Sequence, residues 1–294
     1  MTLPSELRYT QNFLHSRALV EQLVAQAGLR AGMTVLEVGA GKGIITRALS
    51  QAVGAVGRVV AVELDAGLAD TLRQTLALPN LTLHHGDILA FDWGSLPTDY
   101  AVFSNVPFNI TAALLEAMFT PQTCPAQAHL ILQTDALIGT TEGGAPAETL
   151  KSLLIAPLAE QRVVHHFRRT DFTPQPAVET ALFAFVRRPT PLIDLALYGL
   201  YQDFLAFVSK DRAGEGAWRR VFSGGQLSRL ADQYGLVLGR GLKAQSRGAM
   251  LAAFGALERG KRGVVGGAMQ GLRQEQAHRE NRNRAGGHRR PTRG

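Results

Sequence analysis

Thr34-Val-Leu-Glu-Val-Gly-Ala-Gly-Lys-Gly43 runs directly into Ile44-Ile-Thr-Arg-Ala-Leu49, and this stretch decides the fold. Thr34 to Val38 is a short apolar run of strand type, whereas Ile44, Ile45, Ala48, Leu49, Ala52 and Val53 recur at helical spacing. Between them Gly39, Gly41 and Gly43 alternate with other residues, so the backbone can turn tightly and approach a ligand without a Cβ in the way. Strand, glycine loop and helix open a nucleotide-binding βαβ unit. The next strand, Arg58 to Val62, ends on Glu63, where such a unit places the carboxylate that holds ribose hydroxyls. The same residues also allow a structural glycine turn beside a surface glutamate.

Outward from this stretch the pattern repeats. Leu19, Val20, Leu23, Val24 and Ala27 share a helical face that Gly28 terminates. Helices are predicted around Leu68 to Leu76, over Thr111 to Phe119 and over Glu148 to Ile155. Strands are predicted at Leu81 to His84, Tyr100 to Ser104, His129 to Gln133, Arg162 to Phe167 and Val178 to Arg187, which makes seven with the first two. The fold class is α/β, with a Rossmann-like parallel sheet carrying helices on both faces and an antiparallel closing pair. Gly139 to Ala147, rich in Gly, Ala, Pro and Thr, reads as a mobile loop. After Pro189 and Pro191 only helical periods remain, at Leu192 to Val208, Gln226 to Tyr234 and Ser246 to Leu257. The expected domains are therefore 1–188, a small all-helical domain at 189–259, and a disordered basic tail at 260–294.

The glycine spacing narrows the ligand. It is not the G-x-G-x-x-G of dinucleotide enzymes, which disfavours a nicotinamide-dependent oxidoreductase, and it lacks the Gly-Lys-Ser/Thr ending of a phosphate-gripping P-loop, which leaves Lys42 without that role. A cofactor with a nucleoside but no pyrophosphate, S-adenosyl-L-methionine, fits better. Asp87, in Gly86-Asp87-Ile88 after the third strand, can accept a hydrogen bond from the cofactor's adenine amine. Taken alone it reads as a turn or helix cap rather than a ligand, and only its place in series with the glycine loop and Glu63 reverses that. Glycine loop, Glu63 and Asp87 follow successive parallel strands, the ligand-binding edge of open α/β sheets.

Ser104-Asn105-Val106-Pro107-Phe108 follows the fourth strand. Adenine N6 is a poor nucleophile because its lone pair is delocalised into the ring. Two acceptors on its N–H groups favour a pyramidal nitrogen with its lone pair aimed outward. The Asn105 amide oxygen can be one, and the backbone at Val106 and Pro107, stiffened by the proline, can be the other. Phe108 offers a face for the base to stack on, worth about 1–3 kcal/mol. In isolation, Asn-Val-Pro-Phe reads as a strand-end turn with a core phenylalanine.

Composition and charge bound the rest. The chain has 294 residues, 46% of them hydrophobic, and a net charge of +7. Gly271 to Gly294 holds seven arginines and two glutamates, a pattern of either nucleic-acid contacts of phosphate type or plain solvation. No stretch reads as a signal peptide or a membrane span, so a cytoplasmic protein that engages no membrane is expected. The lone Cys124 excludes an internal disulfide framework and a cysteine-based metal site. His84, His85, His165 and His166 lack a ligand spacing with acids or cysteines, so no metal is expected.

These motifs, taken in order, make the chain similar to the Erm-type 23S rRNA adenine-N6 methyltransferases, within the rRNA adenine N6-methyltransferase family. The resemblance runs from about Tyr9 to Phe254 and rests on Gln11-Asn12-Phe13-Leu14, Glu37 to Gly43, Val62 to Asp65, Gly86 to Leu89, Asn105 to Ile110 and Phe172 to Pro176. It implies a seven-stranded methyltransferase sheet and an S-adenosylmethionine site formed by Gln11, Asn12, Leu14, Gly39, Ala40, Gly41, Glu63, Leu64, Asp87, Ile88 and Asn105. It also implies a catalytic segment Asn105, Val106, Pro107 and Phe108, and Phe172 facing Phe108 across an extruded adenine. The substrate implied is the peptidyl-transferase loop of 23S rRNA, methylated by a monomer, with resistance to macrolide, lincosamide and streptogramin B antibiotics as the outcome. Val106 stands where Ile or Leu is usual. Phe108 in place of tyrosine and the arginine-rich tail favour this branch over the enzymes that dimethylate adjacent 16S adenines in ribosome maturation. Arg168 and Arg169, just before Phe172, are candidate phosphate contacts, as are Lys210, Arg212, Arg219 and Arg220; for each, a solvated surface charge fits as well. A DNA adenine methyltransferase would share the chemistry. A non-catalytic RNA-binding factor would share only the fold, and intact Glu63, Asp87 and Asn105 argue against it.

Overall fold

The structure, a computed structural model, describes residues 12–140, 146–210 and 215–275. The chain divides into two compact units, residues 1–138 with 155–191 and residues 139–154 with 192–294.

The first unit is built on seven strands. β2 (Thr34–Val38), β3 (Arg58–Glu63), β4 (Leu81–His85), β5 (Ala101–Asn105) and β6 (Gln127–Gln133) run parallel; β11 (Thr180–Arg187) pairs antiparallel with both β6 and β9 (Ala159–His166). The order across the sheet is β4-β3-β2-β5-β6-β11-β9. β2 and β3 are mostly apolar, with Glu37 inside β2 and Arg58 and Glu63 at the ends of β3, as expected where helices cover both faces of a parallel sheet. Leu36, Val59, Val60 and Ala61 are accordingly buried. Helix α1 (Arg17–Gln26) is started by Ser16, whose side chain accepts the Leu19 N–H, and α2 (Ile44–Val53) starts at Gly43 in the left-handed region. Val20, Leu23 and Val24 of α1 share one core cluster with Ile45, Ala48, Leu49 and Val53 of α2. α3 (Ala66–Thr75) and α4 (Thr111–Met118) complete the repeating pattern.

The sequence offers no hint of a two-strand ladder between β1 (Phe13–Leu14) and β10 (Phe172–Thr173), which pairs Phe13 with Thr173 and Leu14 with Phe172. It straps the described start of the chain across the sheet edge where the glycine loop lies.

In the second unit, α6 (Tyr198–Ser209), α7 (Gly216–Val221), α8 (Gly224–Tyr234) and α9 (Arg247–Gly255) gather around aromatic rings. Phe204 lies 5.9 Å from Trp218, 6.3 Å from Phe222 and 5.8 Å from Phe254. Two expectations change here. A single cut near Pro189 does not describe the division, because 139–154 belongs with this unit. Tyr198 and Tyr201 donate to the carbonyls of Leu154 and Leu153, and Glu148 pairs with Arg247 at 3.0 Å. β7 (Ile138–Thr140) and β8 (Pro146–Glu148) pair as a two-stranded sheet at the two ends of the stretch expected to be a mobile loop, whose residues 141–145 lie outside the described residues.

The tail also begins later than Gly260. α10 (Arg262–Val265) and a helical stretch at 268–275 are folded, with Val265 and Met269 buried. Asp203 of α6 accepts the N–H groups of Gly267 and Met269 at 3.0 and 2.9 Å, capping that stretch. Buried apolar residues spaced among glycines and arginines are too sparse to show as a period, so the sequence read as tail. Residues 276–294 lie outside the described residues.

Candidate active site

The C-terminal ends of β2, β3, β4 and β5 open onto a cavity of about 260 Å³ in the first unit. Gly39 and Gly41 line it with φ of 72° and 57°, values that L side chains rarely adopt. A Cβ on Gly41 would stand 2.8 Å from Phe13 Cε1, so the strap and the loop touch because residue 41 has no side chain. Lys42 Nζ lies over the same ring, 5.1 Å from its centroid. Val38, Val62, Leu64 and Ile88 give the cavity apolar wall, as a nucleoside base requires.

Glu63 ends β3 almost fully buried. Its Oε2 accepts the Gly41 N–H at 2.8 Å and its Oε1 the Asp65 N–H at 2.9 Å. Each oxygen keeps a further lone pair, so a carboxylate already held by the loop can still accept ligand hydroxyls. Asp87 fits both readings of the sequence: its Oδ1 accepts the Leu89 N–H at 2.9 Å as a cap, and the residue lines the cavity. Deeper in the sheet, Glu37 is buried beside Thr46 and Glu63. Burial, reinforced by the Glu63 charge and opposed by Thr46, raises its pKa from 4.5 to about 8, and the carboxyl is held as the neutral acid.

Ser104 Oγ donates to the Val38 carbonyl at 2.6 Å, tying β5 to β2 just before Asn105 reaches the cavity. Asn105 Nδ2 donates to the backbone carbonyl of Asn12 at 2.6 Å. Val106 is buried and its N–H is held by the Ile131 carbonyl at 3.2 Å. Pro107 leads into a one-turn 3-10 helix, Phe108–Ile110, that leaves Phe108 half-buried on the cavity wall.

Of the predicted residues, Asn12, Gly39, Gly41, Glu63, Leu64, Asp87, Ile88, Asn105, Val106, Pro107 and Phe108 all line this one cavity. Three do not. Ala40 turns inward against Ala61, Leu72 and Leu76. Leu14 and Phe172 are buried in the core cluster of α1 and α2, Phe172 at 1% exposure with its ring 5.2 Å from Phe167. Facing each other in the strap ladder, these two point into protein, so Phe172 does not confront Phe108 across the cavity. Gln11 and Arg212 lie outside the described residues. Arg168 and Arg169 are exposed, with Arg169 Nε donating to the Pro176 carbonyl at 2.6 Å. Lys210 pairs with Glu275, Arg219 with Glu215, and Arg220 lies over the Phe207 ring. Phe13 lines the cavity and is the site residue that sequence reasoning misses, although it sits inside the Gln11-Asn12-Phe13-Leu14 motif. Cys124 is buried, which raises its thiol pKa to about 11.

The sequence model of the family described as "Ribosomal RNA adenine dimethylase" matches residues 5–257. The chain belongs to this family. Among curated relatives, the methylase is 32% identical over 197 residues to "Ribosomal RNA small subunit methyltransferase A" of Thiobacillus denitrificans, covering 65% of this chain and 75% of that one. It is 34% identical over 195 residues to "Mycinamicin-resistance protein MyrB" of Micromonospora griseorubida, covering 66% and 60% of the two chains. It is also 34% identical over 213 residues to an "rRNA methyltransferase" of Streptomyces thermotolerans, covering 70% and 66%. In fold it is similar to the crystal structure of the 23S rRNA methyltransferase ErmE, with a TM-score of 0.70 at 24% identity over 84% of this chain and 99% of that one. A resistance protein and a small-subunit rRNA methyltransferase are thus both among its relatives. The methylase is an S-adenosylmethionine-dependent rRNA adenine methyltransferase. The site suits that cofactor: positive-φ glycines, a buried carboxylate bonded to the loop, an apolar wall and a capping aspartate line one cavity. Among the described residues no helix is long and apolar enough to cross a membrane.

Proposed function

We propose that the methylase modifies N6 of one adenine in the peptidyl-transferase loop of 23S rRNA, and that this protects the ribosome from macrolide, lincosamide and streptogramin B drugs. In this reading Gly39, Gly41, Glu63, Leu64, Asp87 and Ile88 hold S-adenosylmethionine, with Asn12 at its methionine end. Bound there, the cofactor supplies a methyl group already activated by its sulfonium. The protein's task is then to orient the base and exclude water. Asn105 Oδ1 and a backbone carbonyl at Val106 or Pro107 accept the two N6–H groups, and Phe108 stacks on the extruded base.

The observation that carries this reading is the position of Asn105 on the same cavity wall as Phe108, in a cavity that also reaches Glu63 and Asp87. Phe108 and the six arginines of 276–294 support the 23S choice. The relatives named for the small subunit support the second reading, dimethylation of adjacent 16S adenines. We take residues 192–275 as an RNA-binding helical unit, the working form as a cytoplasmic monomer, and Arg168 and Arg169 as phosphate contacts.

Methyl transfer to intact 23S and 16S rRNA, mapped by primer extension, tests the reading. A stop at one adenine of the 23S peptidyl-transferase loop is expected. Labelling of paired 16S adenines would replace the first reading by the second.

A further inference from the structure

A side-chain amide has two ends of nearly equal size, an oxygen that accepts and an NH₂ that donates, and rotation about χ2 exchanges them. Asn105 can serve as an acceptor for adenine N6 only with its oxygen toward the cavity; flipped, it would present two donors to a donor. The amide must therefore be held by something that recognises one end.

The geometry points to the Asn12 carbonyl as that element. A backbone carbonyl can only accept, so its 2.6 Å contact with Asn105 Nδ2 fixes which end is NH₂ and leaves Oδ1 for the cavity. The residues that follow this carbonyl, Phe13 to His15, are held at several points. Phe13 and Leu14 pair with Thr173 and Phe172. The Phe13 ring lies against Gly41 under Lys42 Nζ. Leu14 is buried in the core, and His15 Nε2 bonds the Thr170 carbonyl at 2.8 Å. Residues near both ends of the first unit thus hold the segment that carries this backbone oxygen. Asn12 is a positioning residue acting through Asn105, and the strap sets the competence of the amide as well as forming cavity wall.

This inference rests on the reading of Asn105 as the N6 acceptor, and the test separates the two. The chain holds six asparagines, so selective ¹⁵N-asparagine labelling gives few side-chain amide pairs, and the Asn105 pair is assigned by its loss in Asn105→Ala. Phe13→Ala removes the ring that seats the strap. His15→Ala loosens the strap from an exposed position outside the cavity and guards against a folding failure of the first variant. In both, the Asn105 NH₂ signals are expected to move toward those of solvent-exposed amides. kcat at saturating RNA and cofactor should fall ~10-fold in Phe13→Ala and a few-fold in His15→Ala, while KM for S-adenosylmethionine stays within ~3-fold. Phe13→Leu, which refills the space over Gly41, should restore part of kcat. Unmoved Asn105 signals, or a loss carried by KM alone, would reduce the strap to cofactor wall and overturn the inference. Full activity in Asn105→Ala would instead sink the acceptor reading, whatever the amide signals report.

Discussion

Glu63 Oε2 accepts the N–H of Gly41 at 2.8 Å, so the carboxylate ending the second parallel strand also closes the glycine loop that follows the first. One residue thereby shapes the loop and lines the cavity. Charge-assisted hydrogen bonds of this kind contribute about 1.5–3 kcal/mol. Glu63→Gln keeps the size but loses the charge, and should weaken S-adenosylmethionine binding by ~10- to 100-fold while lowering the melting temperature. Calorimetric titration checks this, and an affinity equal to that of the unmodified protein would remove Glu63 from the cofactor site.

Gly41→Ala should be damaging for two separable reasons. Its φ of 57° costs an L-residue roughly 1–2 kcal/mol, and the new Cβ would collide with Phe13. Combining it with Phe13→Ala should relieve the collision and leave only the backbone cost. A double-variant cycle in thermal unfolding should therefore be non-additive, with the double variant more stable than the sum predicts. Additivity would mean that loop and strap are uncoupled.

Asn105→Ala should abolish methyl transfer and leave cofactor affinity within a few-fold. Single-turnover assays beside calorimetry decide it. A large loss of cofactor binding would make Asn105 a cofactor ligand first.

Stability should depend on pH through two buried groups of opposite sense. Burial raises Glu37 to about 8 and, with the Arg162 charge, lowers His129 to about 4. Between about pH 4.5 and 6.5 the folded chain keeps a proton on Glu37 and the unfolded chain keeps one on its histidine, so these two groups leave stability flat. From about 6.5 to 8 the folded state holds the extra proton, and stability falls by up to about 1.4 kcal/mol per pH unit. Below 4.5 the unfolded state binds more protons, and stability falls again until His129 is charged. Chemical denaturation of Glu37→Gln across pH 6 to 8.5 should lack the alkaline decline. A decline of unchanged slope would assign it elsewhere.

Removal of residues 276–294 takes away six arginines and leaves the helical stretch capped by Asp203 intact. RNA binding should weaken and its dependence on salt should flatten, with the melting temperature unchanged. Truncation at Gly260 should also destabilise the protein, because it strips Val265 and Met269 from the core. An unaltered salt slope in the shorter truncation would make the tail a bystander.

How far the sequence could be read follows from the range of the interactions involved. Thr34 to Val38 appears as a strand with the predicted bounds, and Gly39, Gly41, Glu63, Asp87 and Asn105 reach one cavity, because strand, loop and helix alternate locally and the sheet edge gathers their ends. Phe172 and Leu14 were misjudged because two-residue strands from opposite ends of the unit leave no periodicity, and only the ladder shows that both face inward. Spacing alone does not divide Asp87 between cap and ligand, because one residue both accepts the Leu89 N–H and lines the cavity. The six-residue helix Gly216–Val221 is too short to show a period, although Trp218 is among the most buried side chains of the chain.

The ladder between Phe13–Leu14 and Phe172–Thr173 also bears on how the enzyme comes into being on a ribosome. Every described residue lining the cavity has been synthesised by Ile110, yet the strand that seats the strap emerges only after β9. A nascent chain halted between those points carries the whole set of cavity residues without the support that holds Asn12 in place. Domains fold as units, so the cavity gains its strap late in translation, once Phe172–Thr173 has been made and with only β11 of the sheet still to follow.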